Sequence, residues 1–158
     1  MTTTPYPGTA NDFLSAHAAL LRESYHRLTG GDLVAPGLTP EQASQQLFEA
    51  PFALLSHSAA ADPLMTYANR TGLKLFDIDW PALLVMPSRL TAEAPNRAER
   101  EHLLQRVAHA GFIDDYSGVR VSARGRRFLI RRATVWNLRG PKGAVVGQAA
   151  MFADWAYL

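Results

Sequence analysis

Cysteine is absent from the 158 residues, which removes disulfides, thiolate metal sites and cysteine nucleophiles from consideration. No apolar run approaches the ~20 residues that a membrane-spanning helix needs. Met1 to Gly8 carry neither a basic segment nor an apolar one, so no secretory leader is expected and the expected location is cytoplasmic. Charge of one sign is also lacking. The formal net charge is +2, and the basic pI reflects an arginine excess instead of a polybasic tail. There is no nucleophile elbow, no phosphate-cradling glycine loop and no ligand spacing typical of a metal site. Catalytic residues and metal ligands are therefore expected to be absent. An enzyme is the less favoured class but stays open, because catalytic groups converge in space and not along the chain.

What is present fits one globular domain: 47% hydrophobic and 19% charged residues, without repeats or low-complexity tracts. Residues 1–10 are rich in Thr, Pro and Gly. Asn11 is a candidate N-cap for a helix to Thr29, whose Leu14, Ala18, Leu21, Tyr25 and Leu28 fall on one stripe. Gly30-Gly31 ends it. Thr39-Pro40-Glu41-Gln42 opens a second helix with a cap, an N1 proline and a capping-box glutamine, ending near Ala50. From Phe52 the pattern changes. Residues 52–57 and 64–68 suit short strands; Asn69 and Asp79 suit caps of short helices; Asn96 and Glu99 form a capping-box pair before a helix carrying Leu103, Leu104 and Val107. Segments 112–122, 127–138 and 144–153 suit strands, joined by Ala123-Arg124-Gly125 and Gly140-Pro141-Lys142-Gly143. Two strands, several short helices and three antiparallel strands make an α+β order. The expected division is a helical extension over 1–50 and a sheet-based domain over 51–158.

Several segments resemble known sequences. "DPLMTYANRTGLKLF" (62–76) and "ATVWNLRGPKGAVVGQAAMF" (133–152) resemble the opening and final hairpin of a PAS domain. "PSRLTAE" (87–93) and "RVAHAGFIDDYSGVRVSARGRRF" (106–128) resemble the MEKHLA family, a PAS-related domain of bacterial proteins and of plant class III homeodomain–leucine-zipper factors. The resemblance implies a PAS-like antiparallel five-stranded sheet flanked by short helices, and a sensing, ligand-binding or interaction role. It supplies no ligand, so the cofactor is unknown. Without cysteine, the cysteinyl-flavin adduct and the cysteine-linked chromophore of the wider PAS class are chemically impossible. A noncovalent flavin stays open, as does heme held by His102 or His109.

Six residues are candidates for a PAS-type cavity: Tyr67, Asn69, Arg89, Tyr116, Trp136 and Asn137. Asn69 could anchor a ligand or serve only as a helix cap. Arg89 could take a carboxylate or phosphate, or pair with Glu93 or Asp115. Tyr67 and Trp136 could equally be core. Alternation puts Phe128, Ile130, Arg132, Thr134, Trp136 and Leu138 on one face of the long strand, and Leu129, Arg131, Ala133, Val135 and Asn137 on the other. Asp114 and Asp115 diverge, which argues against a carboxylate pair. Seven arginines (Arg120, Arg124, Arg126, Arg127, Arg131, Arg132, Arg139) crowd the last hairpins. They alternate across strand faces without interleaved aromatics, so nucleic acid is not the expected partner and a solvated sheet edge is. The Leu14–Leu28 stripe is expected to cover the sheet or to form a dimer surface. Three functions compete: a sensor passing a ligand signal to a protein partner or a second copy, a small enzyme using His57, Arg89, Asp114 or Tyr116 in the cavity, and a structural dimerisation domain without ligand.

Overall fold

A computed structural model describes residues 4–93 and 97–158. Asn96, the expected cap of the fifth helix, lies outside the described residues. Helices α1 (Ser15–Thr29) and α2 (Pro40–Glu49) come first, then β1 (Ala53–Ser58) and β2 (Met65–Ala68). Three short helical segments follow: α3 (Arg70–Leu75), α4 (Trp80–Leu83) and a 3₁₀ turn at Ser88–Thr91. Then come α5 (Arg97–Ala110) and strands β3 (Phe112–Val121), β4 (Arg127–Arg139), β5 (Val145–Phe152) and β6 (Asp154–Tyr157).

The local signals for these elements act as their chemistry requires. Thr39 and Gln42 close a reciprocal capping box on α2, and the Asn69 and Asp79 side chains accept from Gly72 N and Ala82 N at the starts of α3 and α4. The first helix starts later than its periodicity suggests. Asp12, Phe13 and Leu14 all have positive φ, and the Asn11 side chain accepts from Gly8 N and Leu14 N inside this turn.

All strand pairs are antiparallel, in the order β2-β1-β5-β4-β3. β6 is a continuation of β5 past Ala153: β5 pairs with Thr134–Arg139 of β4, and β6 with Phe128–Arg131. The final strand had been expected to stop at residue 153. The break has a cause in β4, where Arg132 sits at φ 52° as an extra residue between the pairs Ile130↔Gly118 and Ala133↔Tyr116. Such a bulge reverses the side-chain alternation beyond it. Phe128 and Ile130 therefore share the inner face with Ala133, Val135 and Asn137, while Thr134, Trp136 and Leu138 turn to the outer face. Unbroken alternation through the strand, as the sequence suggested, is corrected at this one residue.

The two faces are covered differently. α1 lies across the outer face against β4, burying Ala18 and Leu21 completely and setting Tyr25 edge-on to Trp136 at 5.0 Å. Burial of a leucine such as Leu21 contributes about 2 kcal/mol. The stripe on α1 thus serves as a cover for the sheet. The inner face is roofed by α3, the 3₁₀ turn and α5, and here the packing leaves a gap.

Candidate functional site

The gap is a cavity of about 80 Å³ between the inner face and the roof. Leu55, Met65, Phe76, Leu103, Ile130, Val135 and Phe152 make most of its wall apolar. Its polar groups come from five elements. Arg100 arrives from α5, Tyr116 and Arg120 from β3, Gln148 from β5, Ser56 and His57 from β1, and Ser88 and Thr91 from the 3₁₀ turn.

Each of these side chains is aimed by local structure. On β3, Tyr116, Gly118 and Arg120 fall on one face at two-residue spacing. A side chain at Gly118 would collide with the Tyr116 phenol, so glycine there opens the space the ring occupies. The Arg120 guanidinium then lies over that ring, 5.1 Å from its centroid, and donates to Val119 O at 3.0 Å. On α5, Arg100 precedes Leu103 and Val107 by three and seven residues, which puts it on the buried stripe. Its Nη2 donates to Ser88 Oγ.

Arg100 is 5% exposed and Arg120 8%, yet among the described residues no carboxylate lies within 4.0 Å of either guanidinium. Burial holds the Arg100 guanidinium below its ordinary range and the positive charge of Arg120 pushes the same way, while Glu101, Tyr116 and Asp62 oppose the shift without cancelling it. Burial also lowers the pKa of His57; Arg100 adds to that, while the bond from His57 Nδ1 to Ser58 O, 2.9 Å, opposes it. Two acceptor-capable atoms in the wall have no hydrogen-bond partner among the described residues: the Tyr116 hydroxyl and Gln148 Oε1. Gln148 is oriented from behind. Its Nε2 donates to Asn137 Oδ1 at 3.0 Å, and Asn137 Nδ2 donates to Val107 O at 3.2 Å, which leaves Oε1 without a donor.

Of the six residues expected at the cavity, Tyr116 lines it. Asn137 stands behind the wall and positions Gln148. Trp136 lies under α1 on the opposite face, moved there by the bulge at Arg132. Tyr67 is also on that face, edge-on to Trp80 at 6.0 Å, with its hydroxyl pKa pushed upward by burial. Asn69 is a structural hub: its side chain accepts from Leu54 N and Gly72 N and donates to Leu47 O and Phe52 O. Arg89 is exposed and pairs with Asp62 at 3.3 Å, while Glu93 pairs with Arg127 and Asp115 with Arg106.

Neither His102 nor His109 reaches the cavity; both side chains are exposed. Of the hairpin arginines, Arg126, Arg127, Arg131 and Arg132 make surface ion pairs, whereas Arg120 belongs to the cavity wall. Among the described residues no three His, Asp or Glu side chains cluster as a metal site would require, and no helix is long and apolar enough to cross a membrane. Sequence reasoning passed over Arg100 and Gln148. The clue to Arg100 was an arginine at helical spacing within an apolar stripe.

A five-stranded antiparallel sheet with a helical roof over an internal cavity and a helix on its outer face defines a PAS-like α+β protein. Solved structures share this arrangement. A light-oxygen-voltage domain studied with a flavin analogue has a TM-score of 0.55 at 16% identity, over 74% of this chain and 84% of that one. A PAS domain from Colwellia psychrerythraea has 0.58 at 12% identity, over 75% and 95%. An RNA-binding light-oxygen-voltage receptor has 0.63 at 20% identity, over 77% and 34%. At these identities the likeness is one of fold. The profile of the MEKHLA domain matches residues 15–157, and the chain belongs to that family. The matched residues include α1 and α2 as well as the sheet.

Among curated proteins, the homeobox-leucine zipper protein ATHB-14 of Arabidopsis thaliana is 27% identical over 142 residues, covering 87% of this chain and 17% of that protein. The homeobox-leucine zipper protein HOX10 of Oryza sativa subsp. indica is 24% identical over 137 residues, covering 86% and 16%. The chain thus spans about a sixth of the length of these relatives.

Proposed function

We propose that this chain is a sensory module, in which a small molecule occupies the inner cavity and the sheet carries its effect to α1, and from there to a protein partner or a second copy. The observation behind this reading is a hydrogen bond from one side of the sheet to the other layer. His17 Nε2 on α1 meets Ser56 Oγ on β1 at 2.9 Å, and Ser56 stands between Leu55 and His57, both in the cavity wall. A shift of β1 needed to seat a ligand would alter the docking of α1, since packed layers respond in discrete steps rather than by continuous deformation. A structural domain with a filled core would not need the cavity.

The enzyme reading retains one observation in its favour, the meeting of His57 and Tyr116 at the cavity. Arg89 and Asp114 do not join them. Among the described residues the wall holds no carboxylate to orient His57, and acid–base chemistry would have to proceed without one.

The sensory reading is tested by native mass spectrometry and absorbance of freshly purified protein, followed by hydrogen exchange along α1 with and without the molecule recovered. Faster exchange in Ala18–Leu28 on binding supports it. Unchanged exchange on saturation of the cavity refutes the route through β1 and α1.

A further inference from the structure

We propose that the cavity takes a small organic carboxylate, its anionic head held between Arg100 and Arg120 and its body against the apolar wall. The inference rests on the sensory reading above and names the chemistry of the ligand. Two guanidiniums, 5% and 8% exposed, border one cavity with no carboxylate of the described residues within 4.0 Å of either, and Glu101 and Asp62 act on Arg100 only from beyond that distance. All the Asp and Glu side chains of the chain fall within those residues. Burying like charges together is unfavourable unless something neutralises them, and an anion entering the cavity would do so for both.

Guanidinium suits this task because its planar fork matches the two oxygens of a carboxylate. Both arginines are already fixed from behind, Arg100 by Ser88 Oγ and Arg120 by the Tyr116 ring and Val119 O, so little further ordering is needed. The Tyr116 hydroxyl, buried without a partner among the described residues, supplies one more donor beside Arg120.

The apolar part of the wall disfavours a more polar anion: Leu55, Met65, Phe76, Leu103, Ile130 and Phe152 offer it only contact surface, and Gln148 Oε1, an acceptor without a partner among the described residues, would not face a second anionic group. A volume of about 80 Å³ accommodates on the order of five waters, the scale of a single-ring or short-chain acid. Inorganic phosphate would leave most of this apolar surface unused, and the larger, doubly charged head of a phosphate monoester would take up more of the small volume than a carboxylate does.

The test titrates the full chain, carrying ¹³C-methyl methionine, with benzoate and hexanoate against their neutral isosteres benzamide and hexanamide, and against inorganic phosphate. The Met65 methyl lies in the wall and reports occupancy. The expected result is saturable movement of that resonance with either acid, at least tenfold weaker binding of the amides and of phosphate, and at least a tenfold loss of acid affinity in Arg100→Gln and Arg120→Gln. Should either variant fail to fold, Tyr116→Phe and the acid–amide comparison on the natural sequence carry the same decision. Equal binding of acids and amides overturns the carboxylate assignment and leaves the cavity as a ligand site. Phosphate binding as tightly as benzoate overturns the choice of carboxylate. Silence of Met65 towards both acids and amides overturns this inference, while the sensory reading is decided separately by the molecule recovered with the protein and the exchange along α1.

Discussion

The substitution Arg100→Met should make the ligand-free protein more stable, which is the opposite of what removing a buried, hydrogen-bonded side chain usually does. Methionine keeps the length and the apolar stem of arginine and discards the charge. One hydrogen bond, to Ser88 Oγ, is lost, and its net contribution is about 1 kcal/mol. Against this, the charge at 5% exposure no longer has to be held out of water, and its repulsion with Arg120 vanishes. Replacing buried charged groups by apolar ones of similar volume has a stabilising effect of roughly 1–4 kcal/mol where the charges are poorly compensated. The expected net gain is about 2 kcal/mol, which in a chain of this size raises Tm by roughly 4–8 °C. Urea unfolding of both proteins at pH 7.5, with Tm from calorimetry, would measure it, and an unchanged m-value would show that the native surface is intact. A loss of more than about 1 kcal/mol would refute the reasoning, because it would mean that Arg100 is already compensated in the empty cavity. The same variant should raise the pKa of His57, since Arg100 is one of the groups that lower it; an NMR titration of the His57 ring reads this independently.

Acidification should destabilise the fold through two histidines. The pKa values of His17 and His57 are both lowered by burial, so between the unfolded value of about 6.5 and the depressed folded values the unfolded chain binds more protons. Stability is therefore fully present above about pH 6.5 and falls as pH drops through that window; urea midpoints for the natural sequence and a His17→Gln/His57→Gln variant check it, the variant being expected to show a flatter profile. Gly147→Ala should cost about 1–3 kcal/mol, because the added methyl would strike the carbonyl of His57 across the β1–β5 ladder, where backbone must move to admit it; a denaturation midpoint equal to that of the natural sequence would contradict the close approach. Asn69→Ala should cost about 3 kcal/mol or more, since two backbone N–H groups and two carbonyls lose their common partner. Asn69→Asp, which turns a carboxylate oxygen towards the Leu47 and Phe52 carbonyls in a fully buried site, should cost at least as much in thermal unfolding.

The element order was written in local chemistry. Caps at Thr39, Asn69 and Asp79, the stripe of α1 and the glycine turns at Gly125 and Gly143 act over a few residues, and a linear reading reaches them. The candidate site was less legible. Tyr116 could be placed on a cavity-facing strand, but Trp136 could not, because alternation fails wherever a strand carries an extra residue. Arg132 gives no warning of this: a left-handed backbone is typical of glycine, not of arginine, and nothing in the neighbouring sequence announces a bulge. Asn69 had the right polarity for a ligand anchor, yet all its hydrogen-bonding capacity is spent on partners up to 22 residues away.

The sequence alone settled that no cysteine chemistry can operate here, that the fold is α+β with two helices before the sheet, and that the chain resembles the MEKHLA family. The first two follow from composition and from short-range capping, turn and periodicity rules, and the third from the likeness of particular segments such as residues 106–128. Only the tertiary structure decided which arginines are solvated and which are buried. Arg89 and Arg120 look alike in the sequence, but one pairs with Asp62 at the surface and the other lines a cavity together with Arg100. Burial and charge balance are properties of groups brought together from α5, β3 and β1, and no spacing along the chain encodes that meeting.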